Sequence, residues 1–178
     1  MIKKKYSKKK GYLIWVTGIS GSGKSSISNK LVKKISNALG PTILINGDDI
    51  RRIFNLKSYN YLERKKIALS YSKLGNFVIK QGFNVLFATV SMFDDVRKLN
   101  KKKIGNKYIE IYIKTPLDVV IKNKKKKIYF DKKKLLVGRE IKAEFPKNPD
   151  IAIKNNYKKP IEKLVDEIFL KFKKILKI

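Results

Sequence analysis

The chain has 178 residues, enough for one domain with a sizeable core, and no apolar run reaches the roughly 18 residues expected of a transmembrane helix. It lacks cysteine and histidine, which excludes disulfides, thiolate zinc sites and thiol catalysis and leaves acid–base chemistry to Asp, Glu, Lys or Tyr. Its 44 basic and 14 acidic residues give a formal net charge of +30.

The positive charge has two interpretations. A basic surface is typical of nucleic-acid-binding proteins. However, only five of the 44 basic residues are arginine, the residue that specific readers use for bidentate base contacts. Ile, Asn, Tyr and Phe are also plentiful, as codon usage in an AT-rich genome favours. We therefore favour compositional drift and expect no nucleic-acid partner, although the positive field should attract anionic substrates.

The predicted elements alternate between short apolar strands and longer amphipathic helices. After a charged tail over residues 1–10, strands are expected at 12–17, 42–46, 84–90, 108–113 and 151–155. Helices are expected at 24–39, 49–54, 61–81, 93–102, 116–122 and 160–177. This alternation predicts one α/β domain over residues 11–178, a three-layer α/β/α fold with a mostly parallel five-stranded sheet. The basic N-terminus lacks the pattern of a signal peptide, so a cytoplasmic location is expected.

The first strand runs into a glycine-rich loop, GISGSGKS. It matches every fixed position of G-x-x-x-x-G-K-[ST], whose backbone N–H groups surround the phosphates of ATP or GTP. Lys24 is expected to reach the β- and γ-phosphates, and the Ser25 hydroxyl to hold Mg²⁺. The expected cofactor-binding residues are Gly18, Ile19, Ser20, Gly21, Ser22, Gly23, Lys24 and Ser25.

Two acids and an arginine follow the second strand in NGDDIRR. Ligands of open parallel sheets bind at the carboxyl ends of the strands, so Asp48 and Asp49 should lie near the phosphate loop. A carboxylate there can take a proton from an acceptor hydroxyl or help to organise Mg²⁺. We expect Asp48 to be catalytic, Asp49 to cap the following helix, and Arg51 to pair with an anionic acceptor. The protein would then be a small-molecule kinase.

Residues 122–147 are lysine-dense and poorly periodic, with KNKKKKIYFDKKK at their start. They form either a mobile lid or an inert surface insertion. A lid is favoured, because closure over the phosphates excludes water and adds cations, and long loops are often functional.

Several segments together resemble a known family: IWVTGISGSGKSS, NGDDIRRIF, LERKKIALSYSKL, FATVSMF, YIEIYIKTPLDVVIKN and PKNPDIAIKN. From about Gly11 to the C-terminus, the chain is similar to the adenylylsulfate (APS) kinases. These are P-loop kinases that transfer phosphate from ATP to the 3′-hydroxyl of adenosine 5′-phosphosulfate. The resemblance implies the same fold, ATP and Mg²⁺ as cofactors, a small-molecule nucleotide as acceptor, and a homodimer.

The resemblance also implies roles for individual residues. Asp48 would accept the proton of the 3′-hydroxyl, and Arg51 and Arg64 would hold the phosphosulfate. Ser91 matches a serine described in that family as a phosphoserine intermediate. We do not expect a covalent step at Ser91, because no histidine base is available to it. Direct in-line transfer of the phosphate needs only positioning and charge neutralisation. The expected catalytic residues are Asp48, Lys24 and Ser91. The expected substrate-binding residues are Arg51, Arg64, Val90 and Phe145. The candidates for stacking on the acceptor base are Tyr59, Tyr61 and Phe145, and core packing is the alternative, and the favoured one, for each of them taken singly.

The sequence departs from the family pattern on the acceptor side and in the lid. Asn46 replaces the first acid of the family's D-G-D segment. Ile67 replaces an asparagine that contacts the phosphosulfate, and the S-P-Y-R segment reads Ser91–Asp94. The arginine–aspartate pair that opens the family's lid reads Asn123-Lys124, and the lid is shorter.

These departures leave alternatives open. SMFDDVRKLN and YSKL are closer to a divergent branch associated with surface-polysaccharide genes. One activity of that branch is phosphorylation of cytidine diphosphoramidate, again a nucleotide with an unusual 5′ group and a free ribose hydroxyl. The remaining hypotheses are a basic nucleic-acid-binding P-loop module and an inactive relative with a structural role.

Overall fold

A parallel sheet of five strands forms the centre of the protein. The computed structural model describes residues 10–56, 60–123, 137–138 and 140–178. The strands are β1 (Leu13–Thr17), β2 (Thr42–Asn46), β3 (Asn84–Thr89), β4 (Tyr108–Lys114) and β5 (Ile151–Lys154). They lie in the order β2-β3-β1-β4-β5, and every neighbouring pair is parallel. All five predicted strands are confirmed.

Six α-helices accompany the strands in the described part of the chain, five between strands and one after β5. They are α1 (Lys24–Leu39), α2 (Gly47–Ile53), α3 (Tyr61–Lys80), α4 (Asp94–Ile104), α5 (Leu117–Lys122) and α6 (Ile161–Leu176). Their positions agree with the predicted helices to within two residues at each end. α4 runs two residues beyond its predicted end, because Ile104 is buried against the sheet and extends the apolar face of the helix.

The alternation of side chains along β1 produces the three layers. Ile14 and Val16 face a core cluster formed with α1 and α6, which includes Leu31 and Phe172. Leu13 and Trp15 point to the opposite face, where they pack with residues of α3 such as Tyr71 and Ile79. Both clusters are almost fully buried. The predicted α/β/α architecture is therefore confirmed.

The basic tail and most of the lysine-rich segment lie outside the described residues. Residues 1–9 of the tail and residues 124–136 and 139 of the predicted lid belong to this undescribed part. At the end of that segment, Val137 and Ile141 are buried in a small cluster with Ile19 and Met92. In the part of the chain that is described, no helix is both long and apolar enough to cross a membrane.

Candidate active site

The phosphate loop, residues 18–25, joins the carboxyl end of β1 to the amino end of α1. Because α1 begins at Lys24, the positive end of its dipole faces the loop. Gly23 precedes the helix with φ of 93°, a left-handed conformation that glycine adopts without strain. The Ile19 carbonyl oxygen accepts hydrogen bonds from the Ser22 amide at 3.2 Å and from Lys24 Nζ at 2.8 Å. The strand, loop and helix predicted from the motif are confirmed.

A cavity of about 720 Å³ opens at the carboxyl edge of the sheet, with the phosphate loop as one wall. This volume lies within the range of roughly 300–1000 Å³ usual for small-molecule sites. The loop contributes Ser20, Gly21, Gly23, Lys24 and Ser25. The predicted acceptor-side residues that line the same cavity are Asp48, Arg51, Arg64, Val90 and Ser91. One concave site therefore joins the predicted donor and acceptor groups.

The other predicted loop residues face the protein rather than the cavity. The Ile19 side chain is buried beside Met92, and Ser22 is fully buried. Gly18 packs so closely on β4 that a Cβ atom would lie 2.7 Å from the Ile113 carbonyl oxygen. These residues support the shape of the loop, and any contact they make with a ligand would come from their backbone.

The second helix begins earlier than the sequence predicts, which corrects one assignment. α2 starts at Gly47 directly after β2, with Asn46 as its N-cap residue, so the prediction that Asp49 caps the helix is wrong. The Asp49 carboxylate instead accepts a hydrogen bond from Asn46 Nδ2 at 3.3 Å and pairs with Arg52 at 2.9 Å. Both acids lie in the first turn, where negative charge is favourable. Only Asp48 of the two lines the cavity.

One face of α3 forms another wall of the cavity. Arg64, Ile67, Ala68 and Tyr71 line it, at spacings of three, four and seven residues that place them on one side of the helix. The Tyr71 hydroxyl donates a hydrogen bond to the Gly47 carbonyl oxygen at 3.0 Å. Burial raises the pKa of Tyr71 to about 12, so this hydroxyl keeps its proton. α3 therefore supplies a cation, an apolar surface and an anchor for α2.

Ser91 lies just beyond β3, at the floor of the cavity. Its residue is 6% exposed, and its carbonyl oxygen accepts from Thr17 Oγ1 at 3.3 Å. Among the described residues the Ser91 hydroxyl has no hydrogen-bond partner, although it is buried. A buried hydroxyl in this state gains a partner if a polar ligand enters.

Two of the three aromatic residues predicted to stack on an acceptor base, Tyr61 and Phe145, are described, and neither lines the cavity. Phe145 is half exposed beside Tyr112, with ring centroids 6.3 Å apart, and it does not reach the cavity lining. Tyr61 packs edge-on against Phe93 and donates to Glu144 at 3.1 Å. Tyr59 lies outside the described residues. The stacking role of Phe145 stays a prediction that the geometry does not support.

Tyr71, Asn155 and Tyr157 are among the cavity-lining residues that sequence reasoning missed. Tyr71 was detectable from its helical spacing to Arg64. Asn155 and Tyr157 follow β5 and reach the phosphate loop from the far end of the chain. Their only sequence signal was their position after a strand that ends at the ligand edge of the sheet.

The described ranges contain no cluster of three or more His, Cys, Asp or Glu side chains that could hold a metal ion. Ser25 offers a single exposed hydroxyl at the cavity. Mg²⁺ usually keeps several waters and takes only one or two protein ligands together with substrate phosphates. The Ser25 hydroxyl therefore fits a Mg²⁺ ion whose remaining ligands are substrate phosphates and water.

A model of the adenylylsulphate kinase family matches residues 10–154. The chain belongs to the adenylylsulphate kinase family. It is therefore a kinase of the P-loop type, and the family membership agrees with the resemblance identified from its motifs.

Individual members of this family differ in the acceptor that their names give. A cytidine diphosphoramidate kinase of Campylobacter jejuni is 32% identical over 164 residues, covering 90% of this chain and 95% of that protein. An adenylyl-sulfate kinase of Buchnera aphidicola is also 32% identical, covering 93% of this chain and 84% of that protein. Sequence identity thus does not separate the two acceptors.

The fold is shared with a solved APS kinase of Mycobacterium tuberculosis, a complex with AMPPNP and APS. The TM-score is 0.80 at 22% identity, and the match covers 92% of this chain and 98% of that one. At this identity the likeness establishes the adenylylsulphate kinase fold. It does not identify the acceptor, which has to be inferred from the residues of the site.

Proposed function

We propose that the protein transfers the γ-phosphate of ATP to a ribose hydroxyl of a nucleotide acceptor. The observation that carries this proposal is the single cavity that joins the phosphate loop to Asp48, Arg51 and Arg64. The first candidate acceptor is adenosine 5′-phosphosulfate, with the 3′-hydroxyl as the site of transfer and sulfate assimilation as the process. A homodimer remains an expectation from the family resemblance, and a cytoplasmic location an expectation from the N-terminal sequence.

The donor side would bind the triphosphate of ATP. The backbone N–H groups of the phosphate loop and the amino end of α1 favour negative charge there. Lys24 Nζ would exchange its hydrogen bond to the Ile19 carbonyl oxygen for phosphate oxygens. Ser25 would hold Mg²⁺, which when bound neutralises charge on the β- and γ-phosphates.

The acceptor side offers a base and two cations. Asp48 would accept the proton of the attacking hydroxyl, since it is the one carboxylate among the described residues that line the cavity. Arg51 and Arg64 would bind the anionic 5′ group, because a guanidinium matches phosphate and sulfate oxygens in a bidentate fork. Ser91 would donate or accept one hydrogen bond to a bound nucleotide, in a direct in-line transfer.

A second candidate acceptor is cytidine diphosphoramidate. It is supported by Ile67, a half-buried apolar side chain on the acceptor wall where APS kinases are expected to carry an asparagine. The 32% identity to the kinase of that substrate supports it equally. The donor chemistry would be the same for either acceptor.

The test is an ADP-release assay of the full chain with ATP and Mg²⁺, run separately with each acceptor. Turnover of the cytidine compound alone would replace the first acceptor by the second, and turnover of neither would reject the proposal. Asp48→Asn should lower kcat by about 10²- to 10⁴-fold. Asp49→Asn is the matched control, because it removes a neighbouring carboxylate that pairs with Arg52.

A further inference from the structure

We infer that Asn155 and Tyr157 are positioning residues that set the geometry of the phosphate loop for nucleotide binding. This inference rests on the proposed binding of ATP at the loop. Both residues lie in the connection from β5 to α6, 133 and 136 residues along the chain from the loop residues that they contact. No motif of the phosphate loop includes them.

Asn155 binds the loop through its side-chain amide. Its Nδ2 donates to the Ser22 carbonyl oxygen at 2.9 Å, and the residue is 3% exposed. Its Oδ1 accepts from the Tyr157 amide at 3.0 Å. Because a backbone N–H can only donate, the side-chain atom of Asn155 that faces the Tyr157 N–H must be the amide oxygen. The amide nitrogen therefore faces the Ser22 carbonyl oxygen. The backbone N–H of Asn155 donates to the Lys114 carbonyl oxygen at 3.0 Å, which anchors the residue to the sheet.

Tyr157 holds the preceding peptide of the loop. Its hydroxyl donates to the Gly21 carbonyl oxygen. The residue has φ of 61°, a left-handed conformation that is costly for a bulky side chain. Such strain persists where surrounding contacts impose it and is concentrated at functional sites. Burial also raises the pKa of Tyr157, so its hydroxyl remains a donor.

The contacts on carbonyl oxygens determine where the loop N–H groups point. In a trans peptide the C=O and N–H lie on opposite edges of one plane. Asn155 at 2.9 Å and Thr115 Oγ1 at 3.4 Å both donate to the Ser22 carbonyl oxygen. The Gly23 N–H of the same peptide is therefore directed away from them, and Gly23 lines the cavity. The hydrogen bonds to the Ser22 carbonyl oxygen therefore orient the Gly23 N–H toward the phosphate position before a ligand binds.

The glycine at position 23 supports this arrangement independently. A Cβ atom there would lie 2.7 Å from Asn155 Nδ2, closer than carbon and nitrogen can approach. Gly23 thus allows the close approach of Asn155 as well as the left-handed turn of the loop. The loop and the β5–α6 connection fit each other as one unit.

The experiment compares full-length Asn155→Ala and Tyr157→Phe with wild type by calorimetric binding of AMPPNP with Mg²⁺ and by steady-state kinetics. Each variant should weaken nucleotide binding about 5- to 10-fold, the effect of one lost hydrogen bond, and leave the KM for the acceptor unchanged. The loss of nucleotide affinity in the double variant should be smaller than the product of the two single losses, since both residues act on one loop. Asn156→Ala is the matched control, because its side chain accepts only from the Lys158 amide in the contacts described.

A lower melting temperature of the Asn155→Ala apoprotein with unchanged nucleotide affinity would reduce Asn155 to a structural residue and overturn the inference. The same holds for Tyr157→Phe. Wild type that binds no nucleotide would instead reject the proposed function itself. The two failures are therefore distinguishable.

Discussion

The Tyr71 hydroxyl donates a hydrogen bond to the Gly47 carbonyl oxygen at 3.0 Å, and this contact joins α3 to the first turn of α2. The next residue after Gly47 is Asp48, the proposed base. Burial keeps Tyr71 protonated by raising its pKa to about 12. The position of the carboxylate at the cavity therefore depends on a tyrosine from another helix.

Tyr71→Phe should lower kcat/KM for the acceptor about 5- to 10-fold, because one net hydrogen bond contributes about 1 kcal/mol. The KM for ATP should not change, since the phosphate loop is built from other elements. Steady-state kinetics with each substrate varied in turn measures both. Tyr12→Phe, before the amino end of β1, is the matched control. A raised KM for ATP with normal acceptor kinetics would show that Tyr71 acts on the donor side.

Lys24→Ala should abolish most activity while the fold is kept. Lys24 is 7% exposed and reaches the loop carbonyl of Ile19, so its charge lies in a partly dehydrated site where it acts strongly on phosphate. A loss of about 10²- to 10³-fold in kcat is expected. Lys30→Ala is the control, since it removes a lysine of the same helix that pairs with Glu162 on the surface. Near-normal kcat in Lys24→Ala would remove this lysine from the mechanism.

Gly47→Ala should disturb the acceptor wall. A Cβ atom at this position would lie 3.1 Å from Thr89 Oγ1 and 3.3 Å from Tyr71 Cε2. Overpacking of this kind typically costs about 1–3 kcal/mol, and denaturant unfolding measures it. Adding Thr89→Ala should recover part of the loss, because the closest atom is removed. Additive destabilisation in the double variant would show that the crowding at Thr89 is not the cause.

The stability of the protein should depend on pH through Glu110, a residue of β4 beneath α4. Burial raises the pKa of Glu110 from its ordinary 4.5 to about 7, although the nearby Arg97 opposes this shift. Arg97 Nε lies 3.1 Å from Glu110 Oε1, in a contact between two buried side chains. Because the folded state holds the proton more tightly than the unfolded state, the free energy of unfolding should fall as pH rises from about 4.5 to about 7.

Glu110→Gln should flatten this dependence, which can amount to at most about 3 kcal/mol over the window. Denaturant unfolding of wild type and variant between these pH values measures the slope, and Glu167→Gln on the surface of α6 is the matched control. The comparison uses the slope of the free energy of unfolding against pH rather than its absolute value. The substitution also removes the Glu110 carboxylate from Arg97, which changes stability at every pH. An unchanged slope in Glu110→Gln would assign the pH dependence to other groups.

Much of the site could be predicted from local sequence. The phosphate loop is a contiguous motif, and its glycines carry the conformations it needs. Asp48 and Arg51 follow the second strand, and parallel strands end at one edge of the sheet, so they were expected near the phosphate loop. Val90 and Ser91 were assigned by resemblance, and the structure brings both to the cavity. Arg64 was assigned by resemblance, and the structure brings it to the same cavity.

Other features could not be predicted because they depend on contacts between distant segments. Asp49 was predicted as a cap, yet α2 starts earlier because Gly47 packs closely on Thr89 and Tyr71. Phe145 was predicted at the acceptor, yet it lies beside Tyr112. A local pattern predicts that a helix or a loop occurs, but its end and its orientation depend on what it packs against.

The amino-acid sequence alone determined the order of strands and helices, the phosphate loop and the family, because hydrophobic periodicity and motif spacing are properties of neighbouring residues. The tertiary structure decided which side chains face the cavity and which support it. Asn155, Tyr157 and Tyr71 each satisfy a carbonyl oxygen of a segment far away in sequence. Such pairings arise only when the sheet has formed, since burial makes an unpaired carbonyl costly and selects the partner that folding brings within reach.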